Sequence, residues 1–489
     1  MNVEASPRLA MEPVSIDLNA EPIVDSAELV NRGQIIDRML EVMPSQEELS
    51  PLEHDYLRNL TDRLVSVTGA HAVNEYDRYR TIGERHIDLD EQAVRTKHQG
   101  KTILVTGGTG QIGTALMHEL ERYNPGRLIS LTRGKTPVAD PTIQAEYWHA
   151  DISDGEAVKA VIEQTQPDII YHLAAQKHPS IAEQQIPETL TTNILGTNNI
   201  IEAAKQASVP QIVHASTGKA LRPHSPDTYA ASKKASEWLM STAAQEGDTL
   251  ISSARFTHVA DNSVFGRKLH GWIDDEAPIR LHGPDILFYL QSSRESAQLL
   301  LAASLEAEPS KFNMLALNNL DYPVNLTDIA VGALAKTRGR SPIYFSGYEP
   351  GYEETPYPHL YDPMLAGEVS PLISGLEAHD SNSAKATPQI DTFSLGFGDA
   401  TELRKYVDRL YNNQQSATPQ QLKTDLDDLS WSLLDARLKA VPTEVIDRTA
   451  KRIARQPSQT ADADHHRTDQ VLLANSSFEP IIDLSTAKT

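Results

Sequence analysis

The chain has 489 residues, with 44 Lys and Arg against 67 Asp and Glu and a formal charge of −23 at pH 7. A chain this long outgrows one hydrophobic core, so one large domain with appendages, or two to three domains, is expected. The acidic balance argues against nucleic-acid or membrane-surface binding, and the absence of cysteine excludes disulfides, thiolate nucleophiles and Cys-ligated metals.

Residues 1–30 carry six acids and one base, interrupted by Pro7, Pro13 and Pro22. They read as a disordered acidic leader without the basic and apolar regions of a signal peptide, so a cytoplasmic location is expected. Residues 31–98 read as a helical prefix, with Ile35, Ile36, Met39, Leu40 and Met43 on one face and Leu57, Leu60, Leu64 and Val65 on another. This prefix is expected to pack on the main domain or on a partner.

From 99 to 380 short apolar runs alternate with amphipathic segments, which predicts a doubly wound parallel sheet of Rossmann type, an α/β fold, with a small substrate-binding part over about 255–380. Strands are expected at Thr102–Thr106, Arg127–Leu131, Asp168–Leu173, Gln211–Ala215, Leu250–Ala254 and Phe312–Leu317. Helices should follow Gly113, Gly155, Pro187, Tyr229 and Thr327. A helical extension is expected over 398–455, carrying Leu403, Val407, Leu410, Leu426, Leu429, Leu433 and Leu434, and a disordered tail over 456–489. His465 and His466 in that tail read as solvated rather than metal-binding, and no metal site is expected. No stretch approaches the roughly 18 to 20 apolar residues of a membrane span.

The segment from Lys101 to Gly113 is an apolar strand followed by a glycine-rich turn and a helix, with Gly107, Gly110 and Gly113 in G-x-x-G-x-x-G spacing. Glycines let backbone amides approach a pyrophosphate, whose charge is favoured at a helix N-terminus. Thr114 stands where a P-loop has its lysine, so this is not a Walker turn. The second strand ends without an acid for a ribose hydroxyl, and Arg133 and Lys135 can meet a 2′-phosphate, which favours NADP over NAD. Asp151 is placed either to meet the adenine or to cap the next helix.

Tyr229 and Lys233 lie one helical turn apart and can face one cleft. A tyrosine with its ordinary pKa of about 10 is a poor base at neutral pH, and a nearby ammonium favours its ionised form. Ser216-Thr217-Gly218-Lys219-Ala220 follows a predicted strand and can bring a hydroxyl to the same place.

These residues resemble the extended short-chain dehydrogenase/reductase superfamily, within it the CapD-like polysaccharide-biosynthesis branch that includes UDP-N-acetylglucosamine 4,6-dehydratases. The resemblance rests on TILVTGGTGQIG, DIIYHLAAQKHPSIAEQQIPETLTTNILGTNNIIEAA, QIVHASTGKA and YAASKKASE, in that order. It implies that Gly107, Gly110, Gln111, Ile112, Gly113, Arg133, Lys135, Asp151, Ile152, Ala174, Ala175, Lys177 and Asn193 line the cofactor, together with Tyr229 and Lys233. It further implies that Thr217 holds the substrate hydroxyl, Tyr229 removes its proton, Lys233 binds the nicotinamide ribose, and Lys219 takes the proton from sugar C5. The resemblance also suggests a homo-oligomer.

Three departures stand out. Gly218 replaces the aspartate of the family's Ser-Thr-Asp-Lys-Ala segment, which would protonate the leaving C6 hydroxyl; His224 or Asp227 are candidates to replace it. The family's Arg-Phe-Gly-Asn-Val becomes Arg255-Phe256-Thr257-His258-Val259. Two arginines expected to hold a nucleotide diphosphate appear as Phe288 and Glu349. The expected function is an NADP-dependent nucleotide-sugar dehydratase or epimerase. The alternatives are a dehydrogenase of the same fold with a non-nucleotide substrate, or a non-catalytic cofactor-binding scaffold.

Overall fold

The computed structural model describes residues 31–42, 49–134, 140, 142–261, 264–352, 370–377, 388–414, 416–455 and 463–478. The acidic leader, Met43 and Lys135 lie outside these residues. The chain divides into two compact units, one built from residues up to Gly83 with Ala260–Leu290 and Tyr322–Glu349, the other from Glu84–Val259, Gln291–Asp321 and Pro350 onward.

In the first unit, helix Pro51–Ile82 starts from a capping box, Ser50 with Glu53, and has proline in its first turn. Its apolar face packs against helix Leu326–Thr337. The approach is close because Gly332 has no side chain: a Cβ there would overlap the carbonyl of Ala72. Leu57, Leu60 and Leu64 join Ile35, Met39, Ile279, Ile329, Val331, Leu334 and Ile343 in one buried cluster. The helical prefix thus forms much of the core of a unit completed by residues 260–290 and 322–349, while Leu40 of its expected apolar face is exposed.

The second unit contains an eight-stranded sheet. Its strands are β1 (Thr102–Thr106), β2 (Arg127–Thr132), β3 (Glu146–His149), β4 (Ile169–His172), β5 (Gln211–Thr217), β6 (Leu250–Phe256), β7 (Phe312–Leu317) and β8 (Ile390–Ser394). They lie in the order β8-β7-β6-β5-β4-β1-β2-β3, and every pair is parallel except β7 with β8. All six residues of β7 are buried, as a parallel strand covered on both faces requires. The strand order reverses between β1 and β4, which opens a crevice at the carboxyl ends of the strands, the usual ligand position in such folds. The fold is the expected Rossmann-type α/β sheet, with helical regions at both ends of the chain.

Helix Gln111–Glu121 packs with Ser293–Leu305, Gly155–Thr165 with Gly196–Gln206, and Thr228–Glu246 with Pro419–Ala440. The C-terminal helices are Arg404–Asn413, Pro419–Ala440 and Thr443–Arg455, with Leu426, Leu429, Leu433 and Leu434 buried. One more helix, Ala463–Ala474, lies in the stretch expected to be disordered. Its Leu472 is buried in an apolar cluster, and His465, expected to be solvated, is buried and accepts from Arg222 at 2.7 Å. Among the described residues, no helix is long and apolar enough to cross a membrane, and no cluster of His, Asp and Glu can hold a metal ion.

Candidate active site

The turn after β1 is tightly closed. Gly107 has φ +75°, a region that favours glycine, and a Cβ there would sit 3.0 Å from the Ala174 nitrogen. A Cβ on Gly108 would be 2.5 Å from the Ser130 hydroxyl, and one on Gly113 would overlap the Gly107 carbonyl. Gly110 caps helix Gln111–Glu121 and makes no side-chain capping hydrogen bond. A glycine cradle, a helix N-terminus and a sheet reversal together fit a dinucleotide pyrophosphate. The Thr132 hydroxyl, at the end of β2, is buried with no partner among the described residues, and Arg133 beside it is exposed.

Asp151 accepts from the amide and hydroxyl of Ser153, at 3.0 and 2.8 Å, and the cap of the next helix is Asp154 instead. Ile152 is buried and packed where a Cβ on Gly196 would be. Ala174 donates its amide to the Thr106 hydroxyl at 3.2 Å; Ala175 is half-buried and Lys177 exposed. Asn193, inside a single π-helical turn, bridges two elements. It accepts from Gln176 at 2.8 Å and donates to the Ser232 hydroxyl at 2.9 Å, one residue before Lys233. A π turn interrupts the helical ladder and re-aims side chains.

Thr217, Lys219, Tyr229 and Lys233 come from β5, the short turn after it, and helix Thr228–Glu246. Thr217 and Tyr229 share a side-chain hydrogen bond. Burial pushes the Tyr229 phenol up to about 12; the Thr217 bond opposes this and the Asp227 carboxylate adds to it. Burial lowers Lys233 to about 8, with Glu237 opposing. The Lys233 ammonium donates to the Ala215 carbonyl at 2.8 Å and meets His214 Nε2 at 3.0 Å. Nothing in the sequence pattern singles out His214, which is one of several polar residues in β5 together with Gln211, Ser216 and Thr217. Lys219 lies 5.8 Å from the centre of the Tyr352 ring.

At position 218 a side chain would meet Leu372, which would have to shift to admit it. A Cβ on Gly218 would be 2.7 Å from Leu372 Cδ2, and Leu372 is buried. Arg255 holds that segment. Its guanidinium donates to Glu237 at 2.8 and 2.7 Å, to Glu377 at 2.8 and 2.9 Å, and to the Leu372 carbonyl at 3.2 Å. All three charged side chains are buried. Against the cost of burial, the Arg255 charge holds Glu377 down at about 2, and the two carboxylates raise Arg255.

Both expected substitutes also make structural contacts, while His224 Nδ1 and Asp227 Oδ2 are buried without a hydrogen-bond partner among the described residues. The His224 ring stacks on Trp431, 3.9 Å between centroids, and its Nε2 meets Asp427 at 2.8 Å. Asp227 accepts from the Ala230 amide at 2.7 Å and caps helix Thr228–Glu246. Both belong to a segment gripped by the C-terminal helices. Lys423 reaches Glu183 and the Thr228 hydroxyl, each at 2.8 Å, and Arg467 lies over the Trp431 ring at 4.2 Å.

Residues 103–355 match the model of a family described as "Polysaccharide biosynthesis protein". The chain belongs to this family. It is 27% identical over 296 residues to the capsular polysaccharide biosynthesis protein CapD of Staphylococcus aureus, covering 56% of this chain and 48% of that one. It is 33% identical over 193 residues to an inverting UDP-N-acetylglucosamine 4,6-dehydratase of Campylobacter jejuni, covering 37% and 57%. The chain therefore spans about half the length of the curated relatives it matches. Among solved structures, Pen from Bacillus thuringiensis superposes with a TM-score of 0.51 at 22% identity, over 61% of this chain and 88% of that one, which bears on the fold alone.

Proposed function

We propose that this family member is an NADP-dependent enzyme that epimerises a nucleotide-linked sugar through transient oxidation at C4, without loss of water. The observation that carries the distinction is Leu372 lying against Gly218, in the space where the dehydratase pattern has its acid. The sugar-nucleotide class is supported by the family and by the dehydratase relative. The preference for NADP is supported by the exposed Arg133 at the end of β2 and by the lack of an acid there.

A nicotinamide cofactor, when bound, takes a hydride from C4 and returns it. The chain's own residues handle protons. Thr217 orients the C4 hydroxyl through the hydrogen-bonding position it shares with Tyr229. At neutral pH Tyr229 is protonated, so it serves as base only when positive charge stands beside it, and the nearest cation on its own helix is Lys233. A ketone at C4 acidifies the C5 proton, and Lys219 exchanges that proton. With an apolar side chain at the position of the missing acid, the C6 hydroxyl stays in place.

The test is mass spectrometry after incubation with UDP-N-acetylglucosamine and catalytic NADP in water and in heavy water. One deuterium gained without loss of water supports the proposal, and a product lighter by one water refutes it. A second reading, a dehydrogenase for a non-nucleotide substrate, is favoured by Glu349, which is ion-paired to Arg280 at 3.1 Å where the dehydratase pattern has an arginine. Net consumption of the cofactor separates the two.

A further inference from the structure

We propose that His214 is the positioning residue of Lys233: the bare Nε2 of its imidazole receives the lysine ammonium and fixes it at the carboxyl end of β5. This rests on the reading of Lys233 as the cation that serves Tyr229.

The hydrogen bonds settle which nitrogen carries the proton. The Ser253 hydroxyl donates to the His214 carbonyl at 2.9 Å, so its oxygen meets His214 Nδ1, 3.1 Å away, as an acceptor. A serine has one proton to give, so Nδ1 must bear hydrogen and Nε2 must not. Nε2 then accepts from Lys233 at 3.0 Å, and the Ala215 carbonyl accepts a second ammonium proton at 2.8 Å. The third proton has no hydrogen-bond partner among the described residues and is the one left to serve the site.

The surroundings keep His214 neutral, as this role requires. It is wholly buried, and its ring lies 5.9 Å from that of His172. His172 is itself tied into the sheet. Thr197 donates to the Asn193 carbonyl at 2.6 Å and so accepts from His172 Nε2 at 3.1 Å, which leaves His172 Nδ1 to accept from Thr106 at 2.9 Å. Burial and the Lys233 charge hold both histidines far below the usual histidine range. Among the described residues, the titratable groups that interact with Lys233 are therefore His214 on β5, His172 on β4 behind it and Glu237 on the lysine's own helix.

The test follows the titration of Lys233 by NMR in the full chain, free of substrate and cofactor, with the resonance assigned by its loss in Lys233→Arg. His214→Leu removes the acceptor, and the Lys233 midpoint should fall from about 8 by about a unit or more, a roughly tenfold loss of proton affinity. His214→Gln places an amide oxygen where Nε2 was and should hold the midpoint within about half a unit of wild type. If neither variant moves the midpoint, or both move it equally, the inference falls. Nitrogen shifts of the wild-type imidazole decide it independently should the leucine variant not fold. A protonated Nδ1 with bare Nε2 supports the inference, and a protonated Nε2 overturns it. These readouts need no turnover, so they stand apart from the mass-spectrometric test of the sugar chemistry.

Discussion

Restoring the aspartate at position 218 provides a quantitative check on the space that Leu372 occupies. Gly218→Asp places a Cβ 2.7 Å from Leu372 Cδ2 and a carboxylate against a buried side chain. Overpacking of this kind costs roughly 1–3 kcal/mol, and burying an unpaired charge adds to it. Arg255 cannot relieve that charge, because its five donors are already taken by Glu237, Glu377 and the Leu372 carbonyl. Leu372→Ala opens a cavity at a cost of roughly 2–5 kcal/mol. If the two side chains compete for one space, the double variant should be more stable than the summed losses by about 1–3 kcal/mol. Urea denaturation of the four proteins measures this. Additivity within about 0.5 kcal/mol would show that Leu372 does not exclude a side chain at 218, and the argument against dehydration would fail with it. The double variant, alone of the four, should release product lighter by one water.

Three further expectations concern stability and order. His98, His172 and His214 are buried and neutral, with His98 lowered to about 4 and His172 to about 3. The unfolded chain takes up protons first as pH falls through about 6.5, so stability is full above that value and is lost in the window below it. At pH 5 the loss is about 2 kcal/mol per histidine, and urea midpoints at pH 7.5 and 5 should differ accordingly; His98→Gln should remove about a third of the difference. Arg255→Leu leaves Glu237 and Glu377 buried without their partner and should cost roughly 3–5 kcal/mol, read as the shift in thermal or urea unfolding. Trp431→Ala removes the stacking partner of His224, and hydrogen exchange should rise selectively across residues 222–228, while the amides of β1 and β4 stay protected.

The glycine turn and strands β1 and β7 were legible because each is a short, local pattern of apolar residues and glycine. Strand β3, Glu-Tyr-Trp-His, is too polar to stand out, and β8 joins β7 from about seventy residues further along, in the antiparallel sense. Helix Ala463–Ala474 has a single buried leucine, Leu472, and its place is set by partners such as Arg222 that adjacency in sequence does not reveal. Position 218 is the sharpest case: its glycine showed that an acid was missing, but only tertiary packing shows Leu372 beside it. Tyr229 and Lys233 were singled out by their spacing and Thr217 through the family resemblance, whereas the protonation of Tyr229 and Lys233 depends on burial, which spacing does not encode.

The grip of the C-terminal helices on residues 222–228 has a consequence for the order of events during synthesis. Every strand from β1 to β7 lies before residue 320, so most of the sheet can assemble while the ribosome is still translating the helices that carry Lys423, Asp427, Trp431 and His465. Until those residues emerge, Arg222, His224 and Thr228 lack these C-terminal contacts, and the segment leading to the proposed base is held by fewer bonds, such as that of the Thr228 amide to Glu183. A nascent chain halted before residue 419 would therefore hold the glycine turn after β1 but lack the C-terminal braces on the approach to Tyr229.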